Sequence, residues 1–516
     1  MDSRVEVEPL ISTEERDRET ADGYEQLITP ASRWTRFMQG VQVQQNAKII
    51  FLLATLMFLV TTSGMMLLIP IFRLVEDAFC HVYYEKDPSE PIEERLCKID
   101  AVQKQLAYLG GLGAVINSVV GMTAALPYGV LADRIGRKPT FILSYVGIIL
   151  AFGWTPSLLA LGKIQNLYLA TLGSLFFLIG GGIPVAMNSL NAMSSDLGTE
   201  GDKATGFLYL SFGAVSGGLA GPVMSGILME TVGPWCPIFI VFGITPFVFG
   251  ILLFLPETLP INRRQTATNT EEALSNKVRE AAKELAASFS LLKNTNILLS
   301  LALFFIQPAM FAAYSGTLAQ YVSKYFGWTL GETSYRLSPP LGLLHLIILL
   351  ILPWISTILT SESGRFRLSV FSKDLLLTKI SLVLVIAGGL IEGFSHDIVF
   401  FLLGLIVGTQ GSANSPLGRA VSAAHVKPYQ TSRLFALISM SETAGALIGG
   451  PVLAWLFNVG LSKKGLWIGL PWFYMAGLGI VALVALSFVG SPNKEVVLVN
   501  SEDPGDLDYQ PVQDSV

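Results

Sequence analysis

GVLADRIGRK, Gly129 to Lys138, is a polar turn between two long apolar runs, Gln105 to Leu131 and Thr140 to Leu161. A helix that crosses about 30 Å of hydrocarbon needs about 20 apolar residues, because only a helix satisfies its own backbone groups in lipid. Both runs meet that length. Arg134, Arg137 and Lys138 in the turn are of the type retained on the cytoplasmic face. A turn too short to be a domain, pinned by cations and joining two spans, places the chain among polytopic helical membrane proteins.

Outward from that turn, ten further stretches qualify: Ala47 to Pro70, Asn166 to Met193, Ala204 to Met229, Pro237 to Leu255, Ile297 to Val322, Leu337 to Leu359, Leu375 to Ile391, Val399 to Ser422, Leu434 to Phe457 and Leu466 to Val489. The fold class expected is therefore all-α with 12 transmembrane helices as two six-helix halves. The organisation read is a cytoplasmic N-terminal tail over 1–46, a first half over 47–256, a linker over 257–296, a second half over 297–490 and a cytoplasmic C-terminal tail over 491–516. With the N-terminus inside, 24 of the 34 Lys and Arg fall on the inner side and 10 on the outer. In the linker, Thr268 with Glu271 reads as a capping box ahead of Leu274, Val278, Ala281, Leu285, Phe289 and Leu292, so a short amphipathic helix on the inner surface is expected.

Composition agrees. The 516 residues are 51% apolar and only 14% charged, against roughly 25% charge in soluble domains. A net charge of −5 without an extended basic surface argues against nucleic acid as a partner. The first 46 residues lack an apolar core and do not read as a cleaved signal peptide. Glu6 with Leu10 and Ile11 has the form of an acidic dileucine address. Three cysteines supply no metal-ligand spacing. Cys80 and Cys97 share the first outer loop, where a disulfide and two free thiols are both open readings. No nucleotide-binding loop is present, no cofactor is implied, and no polar constellation reads as an enzyme centre.

The halves repeat. A shift of 229 residues lays Gly221-Pro222 on Gly450-Pro451, Gly182 on Gly411 and Asp133 on Glu362, so one register pairs span five with eleven and span four with ten. Parallel six-helix repeats would produce that correspondence.

The opening decapeptide resembles, over its full length, the loop signature G-x-L-a-D-R-x-G-R-[KR] of the major facilitator superfamily. That resemblance implies a conformational latch formed by Gly129, Asp133, Arg134, Gly136, Arg137 and Lys138 against span eleven; the alternative is a simple positive anchor. The second-half cognate, SESGRFRLS from Ser361 to Ser369, keeps less of the pattern. SGGLAGPVMSG in span five, with Gly217, Gly221, Pro222 and Gly226, resembles a motif of proton-coupled exporters in the superfamily, with Ser225 where a glycine is expected. Span eleven echoes it at Gly445, Gly449, Gly450 and Pro451, and small residues four apart also serve plain helix packing. Span four lacks the arginine many such exporters carry.

An ionisable residue inside a span is a functional candidate by default. Glu442 in span eleven is the clearest, with Arg419 of span ten as its expected partner; a static ion pair is the competing reading. Cavities of the superfamily are lined by spans one, four, seven and ten, which makes Thr62, Asn188, Asn191, Gln307, Tyr314, Gln410 and Asn414 candidate substrate contacts, each also explicable as a helix-packing hydrogen bond. The set is uncharged and partly aromatic, which favours a bulky organic substrate. The stretch SRLFALISMSETAGALIGGP, from Ser432 to Pro451, looks most like fungal organic-solute or drug exporters. By implication the protein alternates access to a central cavity, exporting its substrate against protons as a monomer in the plasma membrane. Proton-coupled import of a nutrient and a non-transporting sensor are the alternatives.

Overall fold

The computed structural model describes residues 45–492 apart from 88–89, 162–165, 198–199, 260–278, 280–282, 284–287, 361–367 and 427–430. The tails, the loop cognate over 361–367 and most of the linker, including Thr268 to Val278, Ala281 and Leu285 of its expected amphipathic helix, lie outside the described residues; the end of that stretch, Phe289–Lys293, is a short 3-10 helix.

Those described form twelve long helical elements. The first half contains α1 (Asn46–Tyr84), α2 (Asp100–Ile135), α3 (Arg137–Ala160), α4 in two pieces (Leu167–Leu178 and Gly182–Ser195), α5 (Glu200–Thr231) and α6 (Trp235–Phe254). The second contains α7 in three pieces (Thr295–Ala312, Ala313–Thr317, Leu318–Phe326), α8 (Leu330–Thr360), α9 (Val370–Phe394), α10 in three pieces (Ile398–Thr409, Gln410–Ala413, Asn414–Ala423), α11 (Thr431–Lys463) and α12 (Leu470–Ser487). Eleven of the helices are long and apolar enough to cross a bilayer, and α8 adds a helix of 31 residues over the remaining predicted span. Side chains such as Phe212, Phe247, Trp354 and Phe400 are exposed, as expected where lipid is the solvent.

Each half is organised alike. Leu53, Leu56, Phe141, Leu190 and Val248 form a core joining α1, α3, α4 and α6. Leu303, Leu382, Val421 and Leu486 join α7, α9, α10 and α12, the elements six further on. Glycine sets the closest approaches. A Cβ at Gly217 or Gly221 of α5 would lie 2.7 Å from the carbonyl oxygen of Phe58 or Thr62 in α1. In α11, a Cβ at Gly445 would lie 1.9 Å from the Phe305 oxygen, and one at Gly449 2.6 Å from the Ala309 Cβ, both in α7. Van der Waals packing between such small residues holds helices together where lipid removes the hydrophobic incentive.

The halves meet chiefly through α2 with α11 and α5 with α8. Gly450 faces Ala114 of α2, and Gly226 faces Gly331 and Tyr335 of α8. The glycine motifs thus serve both the packing within each half and the seam between them.

Candidate functional site

The two ends of the bundle differ. The disulfide end carries Cys80 and Cys97, which are bonded with their Cα atoms 5.3 Å apart. Here α1 runs past its predicted limit at Pro70 to Tyr84, because its charged last turns are compensated. Arg73 lies 3.4 Å from Glu76, 3.5 Å from Asp77 and 3.2 Å from Glu94. Lys98 reaches Glu76 at 2.7 Å and Glu94 at 2.9 Å, and Gln103 donates to Glu76 at 2.6 Å. A buried carboxylate is tolerated when paired and hydrogen-bonded in this way.

The same end ties the halves together. Gln320 in the last piece of α7 donates to the backbone and side-chain oxygens of Gln103, both at 3.0 Å. Lys324 pairs with Asp100 at 2.7 Å and donates to the Lys98 carbonyl. The Leu330 amide donates to Glu94 at 2.9 Å, Thr329 to Glu230, and Ser334 to the Pro222 carbonyl at 2.7 Å. The disulfide fixes the loop that presents Glu94 and Lys98 to this seam.

The signature-loop end is built around the opening decapeptide. Gly136 turns the chain with φ +110°, a left-handed value that glycine adopts without strain. Gly129 sits inside α2 with open space where a Cβ would stand, nothing lying within 4 Å. Helix α3 starts without a side-chain cap of its own, and Glu257, just after α6, supplies one: its carboxylate accepts from the Arg137 amide at 2.9 Å and the Lys138 amide at 3.2 Å. A carboxylate at a helix N-terminus is favoured by hydrogen bonding and by the helix dipole. Lys138 also donates to the Leu255 carbonyl at 2.7 Å, and Arg137 approaches Asp196, the residue just past α4, at 3.7 Å. The Asp133 side chain lies outside those described. Glu257→Ala is expected to lower stability by about 1 kcal/mol or more by removing this cap, read as an earlier thermal transition of the purified protein, while Glu257→Gln, which keeps the acceptor oxygen, loses less.

Among the described residues, three helix breaks lie between the two ends. Helix α4 stops at Leu178 and restarts at Gly182, with φ of +85°, +82° and +67° at Gly180, Gly181 and Gly182. Helix α10 tightens over Gln410–Ala413, and α7 carries a π-helical turn over Ala313–Thr317 just after Pro308. The first two breaks fall at positions related by the 229-residue register, Gly182 and Gly411. Each is pressed against the equivalent neighbour: a Cβ at Gly180 would meet Ser144 of α3, and one at Gly411 the Ser381 oxygen of α9. Irregular backbone at membrane depth persists only where it is buried in protein or lines a cavity, and breaks at matching places in two halves mark binding sites.

The predicted cavity residues share spans with these breaks: Gln410, Asn414 and Tyr314 lie at the breaks of α10 and α7, Asn188 and Asn191 six and nine residues after Gly182, and Gln307 six residues before the π-helical turn. Asn188 and Gln410 are exposed, and Asn191 and Tyr314 half-buried. Gln307 donates to Asn414 at 2.5 Å, joining α7 to α10. Thr62 is the exception. It is 5% exposed and faces Gly217, which places it in the α1–α5 contact rather than at an open surface. Arg419 and Glu442 are brought together at 2.6 Å, both partly exposed, with the guanidinium 5.4 Å from the Phe304 ring centroid.

The residues 102–372 match the family model described as Major Facilitator Superfamily. The chain belongs to that superfamily. This transporter is 27% identical over 436 residues to the MFS efflux pump atnC of Emericella nidulans, covering 83% of the chain and 84% of that protein. It is 25% identical over 374 residues to the class B tetracycline resistance protein of Escherichia coli, covering 71% and 83%. Among solved structures, the human organic anion transporter MFSD10 aligns with a TM-score of 0.54 at 17% identity over 86% of this chain and all of that one. The protein is a multi-pass membrane transporter with the fold expected from its spans and repeat.

Sequence reasoning missed several side chains of the two ends. Glu257 had no signal beyond its place after span six. Gln103, Gln320 and Lys324 fall outside the four cavity-lining spans or at their extreme ends, and only the tertiary pairing of the halves singles them out. Glu392, fully buried in α9, lies one residue past the predicted end of that span at Ile391.

Proposed function

We propose that the transporter exports a bulky, weakly polar organic compound in exchange for protons, by alternating access to a site at the breaks of α4, α7 and α10. The observation that carries this reading is the pair of matching breaks in the two halves, with uncharged polar side chains in the same helices. Export is favoured by similarity to an efflux pump and a tetracycline resistance protein. The conformation described is read as closed at the disulfide end, where inter-half bonds gather. The disulfide end is taken as the outer face, which keeps the signature loop and both tails cytoplasmic, in a monomer of the plasma membrane. In this scheme Gly129, Asp133, Arg134, Gly136, Arg137 and Lys138 form the latch that engages when the transporter opens outward. The Arg419–Glu442 pair exchanges its mutual bond for a proton on Glu442 during the cycle, since a solvent-reachable pair is weak enough to separate.

The test is uptake of ethidium or labelled tetracycline into inside-out vesicles with an acidic interior. The wild type accumulates the probe, and Glu442→Gln loses gradient-driven accumulation by at least about tenfold, a loss of about 1.4 kcal/mol of coupling. Gradient-independent movement of every probe by a folded wild type would overturn the proton-coupled reading.

A further inference from the structure

We infer that Glu392 is a proton-binding residue whose occupancy controls the bend of α7 and, through it, closure of the disulfide end. The inference rests on the reading of the protein as an alternating-access transporter. Glu392 is fully buried, two residues before the end of α9. Its hydrogen-bonding partner is the Tyr314 hydroxyl, 3.3 Å from one carboxyl oxygen and 3.4 Å from the other. Helix α10 leaves room for the side chain with glycine: a Cβ at Gly404 would stand 2.7 Å from Glu392 Cγ, and one at Gly408 3.6 Å from Oε1 and 3.5 Å from the Tyr314 hydroxyl. Helix α12 closes the site with Trp472, whose ring centroid is 5.7 Å from that of Tyr314.

The titratable groups that face Glu392 are phenols. Tyr314 comes from α7, Tyr321 lies one to two turns further along the same helix, α10 contributes glycines, and α12 contributes the Trp472 indole. Among the described residues no lysine, arginine or histidine forms an ion pair with it. A buried carboxylate without a cation costs several kcal/mol, whereas a carboxylic acid and a phenol exchange donor and acceptor roles without a net charge. The arrangement therefore suits the protonated acid.

Position gives that proton a consequence. Tyr314 belongs to the π-helical turn, the one place where α7 departs from α-helical geometry, and such turns are frequent at functional sites; we take this one as the hinge of α7. The piece beyond the turn, Leu318–Phe326, carries Gln320 and Lys324, which tie the second half to the first. It is steadied by Tyr321 stacked on Phe401 at 5.3 Å. The Glu392–Tyr314 contact holds the hinge at the angle that delivers both side chains to the seam. The one phenol hydrogen bond cannot replace the hydration an ionised Glu392 would demand, and the available route for water is the parting of α7 from α9 and α10, with loss of that angle. Protonation thus permits closure, and proton release favours an open disulfide end.

The experiment uses a reporter cysteine at Ala107, a residue of α2 buried between the halves near this end, in a Cys236→Ser background in nanodiscs. Maleimide labelling rates are compared between chains with Glu392 and with Glu392→Gln, at the same pH, so that thiol chemistry cancels in the ratio. The ratio is expected near one at acid pH and to rise at least about tenfold at alkaline pH, as only the glutamate chain opens. A ratio that stays constant from acid to alkaline pH overturns the inference. Should Glu392→Gln not fold, Tyr314→Phe, which keeps the ring and removes the hydroxyl, is expected to shift the pH at which labelling accelerates, and an unchanged profile overturns it equally. Ethidium uptake separates the two readings: a wild type that moves no probe while the ratio still rises sinks the transport proposal and retains the proton site, and pH-dependent uptake by the wild type with a constant ratio sinks the site alone.

Discussion

Gly445→Ala is expected to yield protein that fails to elute as a single folded species, although the change adds one methyl group. The new Cβ would stand 1.9 Å from the Phe305 carbonyl oxygen and 2.8 Å from its carbon, and both are backbone atoms that a rotamer change cannot move. Relief requires α11 to withdraw from α7 by more than about 1 Å, with loss of the neighbouring contact at Gly449. Overpacking that displaces backbone costs about 1–3 kcal/mol and occasionally more, a large part of the stability of a typical domain, and a contact this short with immobile backbone atoms belongs at the upper end. Gly218→Ala provides the contrast: nothing lies within 4 Å of its Cβ, and its elution profile and thermal transition are expected to match the wild type's. Equal behaviour of the two variants would show that close approach of α11 to α7 does not hold the second half together.

Lys324→Glu is expected to shift the conformational balance towards an open disulfide end by about 10- to 100-fold. The substitution removes the ion pair to Asp100 and the bond to the Lys98 carbonyl, and sets a carboxylate against both acceptors. Hydrogen bonds to charged groups contribute about 1.5–3 kcal/mol each, and Asp100 is 43% exposed, so the lower part of that range applies to the pair. The Ala107 reporter would show the shift as faster maleimide labelling at neutral pH. A second substitution, Asp100→Lys, restores opposite charges and is expected to recover part of the closed population. Labelling unchanged in Lys324→Glu would remove the seam from the account of gating.

The fold was largely legible because lipid imposes one rule on every span, and apolar length alone locates them. The twofold organisation was legible through glycine: Gly221 with Gly450 and Gly182 with Gly411 share one register, while most other positions differ between the halves. The same glycines indicated where helices pack, yet not against what, and the pairing of Gly445 with α7 and of Gly450 with α2 required the tertiary arrangement. Arg419 and Glu442 could be joined from sequence because two opposite charges within neighbouring spans have few other partners. Glu392 escaped for a narrow reason. Hydropathy ends its span at Ile391, which assigns to a loop a residue that helix packing buries. The cap supplied by Glu257 and the bonds of Gln320 and Lys324 cross more than 100 residues of chain, and no local pattern encodes such distances. The reach of α1 to Tyr84 was hidden similarly, as its charged last turns read as loop until Lys98 and Gln103 were placed beside them.

Alternating access requires that the breaks of α4, α7 and α10 surround a site reached from the two membrane faces in turn. Gln410 is exposed at the α10 break, and a cysteine there in the Cys236→Ser background reports access from each face with an impermeant maleimide in oriented vesicles. Labelling from both faces is predicted in the wild-type background, with Lys324→Glu raising the rate from the disulfide face and lowering it from the signature-loop face. Labelling from one face only, unmoved by Lys324→Glu, would contradict alternating access at this site.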